Sequence, residues 1–453
     1  MADTLKVDMT HGPLLGKMIK FTIPVILSGV LQLLFNAADV IVVGQFAGEA
    51  SLAAVGSTTA LVNLIINLFV GLSVGANICA AQAYGSKQYD IVERTLHTSF
   101  LFSVICGVFL VFVGNILAKP MLTWMGSPDE VLGLAALYVK IYFVAMPATM
   151  LYNFLSGILR ASGDTTRPLI FLSMAGVLNV VLNLILVIQF NLGVAGVGIA
   201  TAASSYLSCI LLLSFLSRKK DCLRLDFKKV RIDRRILLKM IKIGLPAGIQ
   251  GMLFSLSNVV IQSAINSFGT AVIAGSAAAA SIEGFVYISM NAVSQTCVTF
   301  VGQNYGAQNP KRVKRVVFLC LGIVAVVGLV MGNTAYIFGK PLLGIYTDSK
   351  EAIKAGLYRM EFVCVPYVLC GFMESLTGAL RGMGKSFVPM IVSLLGACVS
   401  RLIWIGTYFQ GHHTEAVLYI SYPASWLLTI TAHSICLFVV FMLWKKSIGK
   451  SQF

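Results

Sequence analysis

The sequence predicts an all-α polytopic membrane protein with about 12 transmembrane helices, arranged as two six-helix lobes related by a parallel internal repeat. Three observations carry this. Of 453 residues, 57% are hydrophobic and only 11% are charged, against roughly 25% charged in a soluble domain. Apolar runs long enough to cross a bilayer recur along the whole chain, separated by short polar or Gly- and Pro-marked links. The two halves also carry the same motifs at an offset of about 221 residues.

In chain order the runs lie near 21–43, 52–80, 96–118, 131–158, 168–189, 193–217, 240–267, 272–301, 316–338, 352–379, 387–409 and 418–444. Within the first, Ser28, Gln32, Asn36 and Asp39 follow at steps of four, four and three, so on a helix they form one polar stripe. A carboxylate among about 20 apolar residues is expensive unless it faces protein or a water-filled cavity, which makes Asp39 a candidate functional residue. Pro24 removes one backbone hydrogen bond and offers helix 1 a bending point. In the second run, Asn63, Asn67, Gly71 and Gly75 make a small and polar stripe suited to helix packing.

The later runs carry fewer polar marks. Glu283 opens a stripe with Tyr287, Asn291 and Ser294 in the eighth, and Glu374 shares a face with Tyr367 and Cys370 in the tenth. Arg401, with Trp404, lies deep in the eleventh and is the expected ion-pair partner of Glu374. Glu283, Tyr287, Glu374 and Arg401 are thus the candidate functional residues of the second half.

The net charge of +16 does not point to nucleic acid, because the basic residues sit where membrane topology puts them. With the N-terminus inside, roughly 27 of the 34 Lys and Arg fall in inside segments, and the run Arg218–Arg235 is an orientation signal and linker. Both termini are therefore expected in the cytoplasm, in a multi-pass protein of the cell membrane. The segment 1–17 shows no signal-peptide pattern. Ten cysteines fall almost entirely in apolar runs without a CxxC pair, and the adjacent His412 and His413 are weak ligands, so no metal site or other cofactor is expected.

The repeat is the most specific feature. Pro24, Gly29 and Asn36 fall on Pro246, Gly251 and Asn258, although Asp39 faces Ile261. Gln82-Ala-Tyr84-Gly85 matches Gln303-Asn-Tyr305-Gly306, and Arg94 matches Arg315. Leu159-Arg160-x-x-Gly163 with Pro168 matches Leu380-Arg381-x-x-Gly384 with Pro389. The even helix count per half makes the repeats parallel, which predicts lobes at 1–217 and 240–453, joined by a basic linker at 218–239, that rock about a central cavity. The arginines suit helix C-termini, and the paired Gly and Pro residues read as turn punctuation.

At these motifs, namely Asn36-Ala-Ala-Asp39 with Val43-Gly44, the paired Gln-x-Tyr-Gly ends and the paired Leu-Arg-x-x-Gly…Pro segments, the chain resembles the multidrug and toxic compound extrusion (MATE) family over nearly its whole length. The resemblance implies a secondary active transporter that exports organic, often cationic or aromatic, compounds by antiport with H+ or Na+. From acids that other branches carry in the C-lobe, it also implies a C-lobe proton or substrate site at Glu283, Tyr287, Glu374 and Arg401; Gln32, Asn36 and Pro24, read from spacing alone, are expected along helix 1 or the cavity. It further implies a cation-coupling site of Asp39 with Asn179 and Asn183 on helix 5 and Thr201 on helix 6. Asn183 stands where such a site can carry a second acid, so at most one negative charge remains. That favours proton over tight sodium coupling, while the oxygen ligands still suit a hard cation.

Two other classes compete. A lipid-linked oligosaccharide or polysaccharide flippase of the same superfamily would be expected to line its cavity with several Arg or Lys, and only Arg401 lies deep in a span. A membrane-embedded enzyme would need a catalytic constellation; Gly71-Leu-Ser73-Val-Gly75 matches G-x-S-x-G but sits inside an apolar helix, without the strand-turn-helix context. The expected partners are a small organic substrate, H+ or Na+ and the lipid bilayer, with no nucleic acid, and the two repeats in one chain favour a monomer.

Overall fold

The computed structural model describes residues 6–124 and 129–450, apart from the side chains of 59–61 and 450. The first five residues of the 1–17 segment lie outside the described residues. Every regular element among the described residues is helical. Twelve spans, here α1–α12, follow the twelve apolar runs. They are α1 (Leu14–Phe46), α2 (Glu49–Gly85), α3 (Tyr89–Trp124), α4 (Asp129–Val144 with Met146–Ala161), α5 (Thr166–Asn183 with Leu184–Gln189) and α6 (Gly193–Ser217). The second half gives α7 (Arg234–Asn266), α8 (Thr270–Gly306), α9 (Pro310–Ile337), α10 (Lys350–Val363 with Tyr367–Gly382), α11 (Phe387–Ser393, Leu394–Val399 and Ser400–Gly406) and α12 (Glu415–Lys450).

Ten of these are long and apolar enough to cross a membrane unbroken, and α4 and α10 do so as pairs bent by 45° and 47°. Each bend has the same cause. Pro147 opens the second half of α4 and Pro366 stands just before the second half of α10, and a proline neither continues the backbone ladder nor tolerates a helical predecessor.

The backbone also repeats. Left-handed conformations occur at Gly48 and Gly269, at Lys87 and Gln308, and at Gly163 and Gly384, 221 residues apart in each pair. Gly163 and Gly384 end α4 and α10 in a left-handed cap: the Gly163 amide bonds to the Arg160 carbonyl and the Gly384 amide to the Arg381 carbonyl. A side chain there would be strained, so the Leu-Arg-x-x-Gly motif is a helix stop.

Two compact units divide the chain. The first holds Ile23–Gly248 together with the chain up to Asp8, and the second holds Met9–Thr22 with Ile249 onward. The basic 218–239 segment and the first half of α7 therefore belong to the first unit, and the first turns of α1 to the second. The crossings fall at Thr22/Ile23 and Gly248/Ile249, within two residues of the repeated Pro24 and Pro246.

Within the first unit, α7 lies on α2 so closely that a Cβ on Gly71 would meet the Gly248 nitrogen at 2.1 Å and one on Gly75 the Met240 carbonyl at 2.2 Å. The small stripe of α2 is thus a helix-packing face. Within the second unit, the start of α1 packs on α8, with Thr22 and Thr296 hydroxyls 2.7 Å apart and the Phe21 and Phe300 rings edge to face.

Asp233 starts α7. Its Oδ1 accepts the backbone N–H of Arg235 at 2.9 Å and Ile236 at 3.2 Å, and its Oδ2 meets Arg94 at 3.3 Å. These backbone donors, with the nearby guanidinium, hold the carboxyl below its usual range. A depressed folded value gives stability that is present above the unfolded value, near about 3.9, and is lost as pH falls through the folded one. Asp233→Ala is expected to cost about 1 kcal/mol, read as a lower melting temperature in detergent at pH 7. The gap should narrow below about pH 4.

Candidate functional site

The four residues of the expected cation site converge in the first unit. Asn179 and Asn183 lie one helical turn apart on α5, so both amides face the same side. A tight link with Asn191 and Gly193 at positive φ returns the chain into α6, which carries Thr201 back beside them. α1 supplies Asp39 from its far end. The Asn183 amide nitrogen donates to Asp39 Oδ1, and the Thr201 hydroxyl lies 3.3 Å from Asp39 Oδ2. Asn183 Nδ2 is also 3.3 Å from Asn179 Oδ1, and Asn179 Nδ2 is 3.5 Å from Thr201 Oγ1. Asn179 and Asn183 are buried, and Asp39 is half-buried.

Asn183 Oδ1 is buried without a partner. With Nδ2 toward Asp39 the amide oxygen is idle; turned over, it would oppose the carboxylate, which two acceptors tolerate only with a proton or a cation between them. One carboxylate with amide and hydroxyl oxygens suits a proton or a hard monovalent cation. Among the described residues no group of three or more His, Cys, Asp or Glu could hold a metal ion.

Immediately after Asn183 the helix widens into a π turn at Leu184–Gln189, a distortion frequent at functional sites. Beside the cluster, Val42, Val43, Val55, Tyr138, Val187, Val194 and Val197 form an apolar layer. Tyr138 and Tyr142, 5.9 Å apart, lie within electrostatic reach of Asp39. Sequence reasoning passed over both tyrosines, since they lie on α4 with no polar periodicity around them.

The rest of the helix 1 stripe does not join the cluster. Gln32 and Asn36 are exposed on the unit, Pro24 is half-buried, and Ser28 donates 2.8 Å to the Pro24 carbonyl. One turn of α1 therefore separates Asp39 from residues that share its face.

The acids of the second unit are arranged differently from the expected Glu374–Arg401 pair. Arg401, 4% exposed, donates from Nε to Ser425 Oγ at 2.7 Å, and its guanidinium lies 4.4 Å over the Tyr422 ring and 5.8 Å from Trp426. It makes no ion pair with Glu374. The ring face of Tyr422 and the Ser425 hydroxyl on α12 hold it instead. Glu374, 7% exposed, is in no close ion pair either among the described residues; the charge within its electrostatic reach is that of Arg381, and Ser294 Oγ donates to its backbone carbonyl at 2.7 Å. Tyr287 lies within electrostatic reach of Glu374.

Glu283 has a partner the sequence did not suggest. Arg359 of α10 donates from Nε to Oε1 at 2.8 Å and from Nη2 to Oε2 at 2.9 Å, a bidentate pair with both side chains buried. The two are 76 residues apart, and Arg359 sits among other charges at the start of α10, where it reads as interfacial. A further buried chain runs from Arg381 Nη2 to Gln250 Oε1 (2.8 Å), then from Gln250 Nε2 to Ser393 Oγ (3.1 Å), which lies 3.5 Å from His433 Nε2.

Comparison with known proteins places the chain in a family and finds its fold among solved structures. The MatE family model matches residues 24–185 and 246–405, once in each half. The chain is 26% identical over 425 residues, 90% of both chains, to a probable multidrug resistance protein, YoeA, of Bacillus subtilis. It is 21% identical over 394 residues, 87% of both, to the multidrug export protein MepA of Staphylococcus aureus. Among solved structures, an outward-facing multidrug resistance MATE transporter superposes with a TM-score of 0.91 at 21% identity, covering 98% of this chain and all of that one.

Proposed function

The chain belongs to the MatE family of transporters, and from that premise we propose that it exports organic cationic or aromatic compounds by antiport with H+ or Na+ through Asp39. The observation that carries the proposal is the convergence of Asn183, Asn179 and Thr201 on one carboxylate within a membrane span. The names of the curated relatives, multidrug resistance and multidrug export proteins, support the substrate class.

In this reading a proton or cation at Asp39 cancels its charge and releases Asn183 and Thr201 from it. α1 then rearranges about Pro24, where the helix already lacks one backbone hydrogen bond and passes from one compact unit to the other. Substrate affinity falls in the loaded state, so ion and substrate do not travel together. The ion shifts the equilibrium only by its differential affinity for the two states. The loop charges favour cytoplasmic termini and a cell-membrane location, with a single chain as the working unit in lipid.

The test is efflux of ethidium from proteoliposomes holding the purified protein under an imposed pH gradient or an imposed Na+ gradient. Efflux that follows one gradient identifies the coupling ion. No efflux under either gradient would overturn the reading.

A further inference from the structure

We propose that the first unit binds the phosphate of an anionic membrane lipid in a cavity between the start of α3 and the basic 218–239 segment. The cavity holds about 580 Å3, within the range of small-ligand sites. Its charges are uneven. Four cations, Arg94, Lys228, Lys229 and Arg231, line it with three acids, Asp90, Glu93 and Asp233. Each acid is already met: Asp90 and Asp233 by Arg94 at 2.7 and 3.3 Å, and Glu93 by Lys229 at 3.0 Å. Lys228 and Arg231 are exposed, and neither side chain is in an ion pair or hydrogen bond among the described residues. Two cations of the lining are thus left to meet an anion.

The wall that carries them is held in place by the protein itself. The Asp226 amide donates to His97 Nε2 at 3.1 Å, His97 Nδ1 lies 2.8 Å from the Glu93 carbonyl, and the Asp233 amide donates to Thr98 Oγ1 at 3.0 Å. Asp226 Oδ1 in turn accepts the Lys228 amide at 3.0 Å. A cation on a preset backbone loses less freedom when it meets a phosphate, which raises affinity. The flanking residues favour a lipid over a soluble phosphate. Phe227, just before Lys228, and Ile232, just after Arg231, are 58% and 39% exposed, and Phe227 packs edge to face on Phe100 at 5.8 Å, near the start of the α3 membrane span. Basic residues interleaved with exposed apolar ones suit the headgroup layer, where charge meets phosphate and apolar side chains meet acyl carbon. A soluble phosphate would leave both apolar side chains in water.

Three ligands separate charge from chain: dihexanoyl phosphatidylglycerol, an anionic lipid; dihexanoyl phosphatidylcholine, which has no net charge; and glycerol 3-phosphate, a phosphate without acyl chains. Affinity for the purified full-length protein in a neutral detergent is read from the rise in melting temperature with ligand concentration. The wild type is expected to bind phosphatidylglycerol about tenfold tighter than either of the others. Lys228→Gln with Arg231→Gln should weaken phosphatidylglycerol about tenfold or more, at roughly fivefold per cation, and leave the melting temperature without ligand unchanged. Lys445→Gln with Lys446→Gln removes the same charge from exposed positions on α12 and should change affinity less than about twofold. Ile232→Ser should weaken phosphatidylglycerol and leave glycerol 3-phosphate unaffected.

Equal weakening by the two double variants would show attraction to net charge alone and overturn the proposal. Equal wild-type affinity for the two lipids would do the same, since the lipid's charge would then have no role. Glycerol 3-phosphate bound as tightly as phosphatidylglycerol would assign the cavity to a soluble phosphate compound and overturn the lipid as its occupant. If the Lys228 and Arg231 double variant does not fold, the wild-type comparison and the single Arg231→Gln variant still decide.

Discussion

Asp39→Asn proteoliposomes are expected to lose gradient-driven ethidium efflux, which should fall about 5- to 150-fold, the range of a typical coupling free energy. The substitution is nearly isosteric and fixes the side chain in an uncharged form, so Asn183 and Thr201 keep an oxygen to address while the titratable or cation-binding group is gone. The protein should therefore fold, with a melting temperature near that of the wild type, and its substrate binding should no longer respond to the coupling gradient. Asn183→Asp is the converse variant. It adds a second carboxylate at a fully buried position and is expected to raise affinity for a hard cation, measured as Na+-dependent protection against heat. Efflux that persists in Asp39→Asn would move the coupling site to the acids of the second unit.

Arg359→Ala is expected to be the most destabilising single change in the second unit. Its guanidinium is 6% exposed, holds both oxygens of Glu283 and lies 5.8 Å from each of the Tyr419 and Tyr422 rings. Removing it leaves a buried carboxylate without its partner, at a cost of about 3–5 kcal/mol. Replacing both members, as Glu283→Leu with Arg359→Leu, should recover most of that loss, since apolar pairs of similar volume often serve as well. Thermal melting of the three proteins in detergent measures this. If the double variant is stable and still exports ethidium, the pair is scaffolding; if it is stable and inactive, the pair takes part in transport.

The spans were legible in the sequence because membrane insertion is decided locally. About 20 apolar residues satisfy the bilayer wherever they end up in the fold, so α1 to α12 follow the apolar runs. The repeat was legible for a similar reason: Gly163 and Gly384 are needed by the backbone of their own turns.

Side-chain partnership was legible only in part. The resemblance brought Asp39, Asn179, Asn183 and Thr201 together by number, whereas periodicity alone gave only the face that Gln32, Asn36 and Asp39 share on α1 and not the partners on α5 and α6. Depth within two successive apolar runs promised Glu374 to Arg401, yet the guanidinium rests on Tyr422, and Arg359 reaches Glu283 across 76 residues.

By itself, then, the sequence determined the helical membrane class, the twelve spans, the parallel repeat and the positions of the chemically costly residues, all of which depend on hydrophobicity and local backbone geometry. Which buried charge meets which partner was decided only by the tertiary structure. Helix rotation, the bends in α4 and α10 and the π turn after Asn183 set those distances, and an ion pair or hydrogen bond is made or lost within an ångström or two that no one-dimensional spacing records.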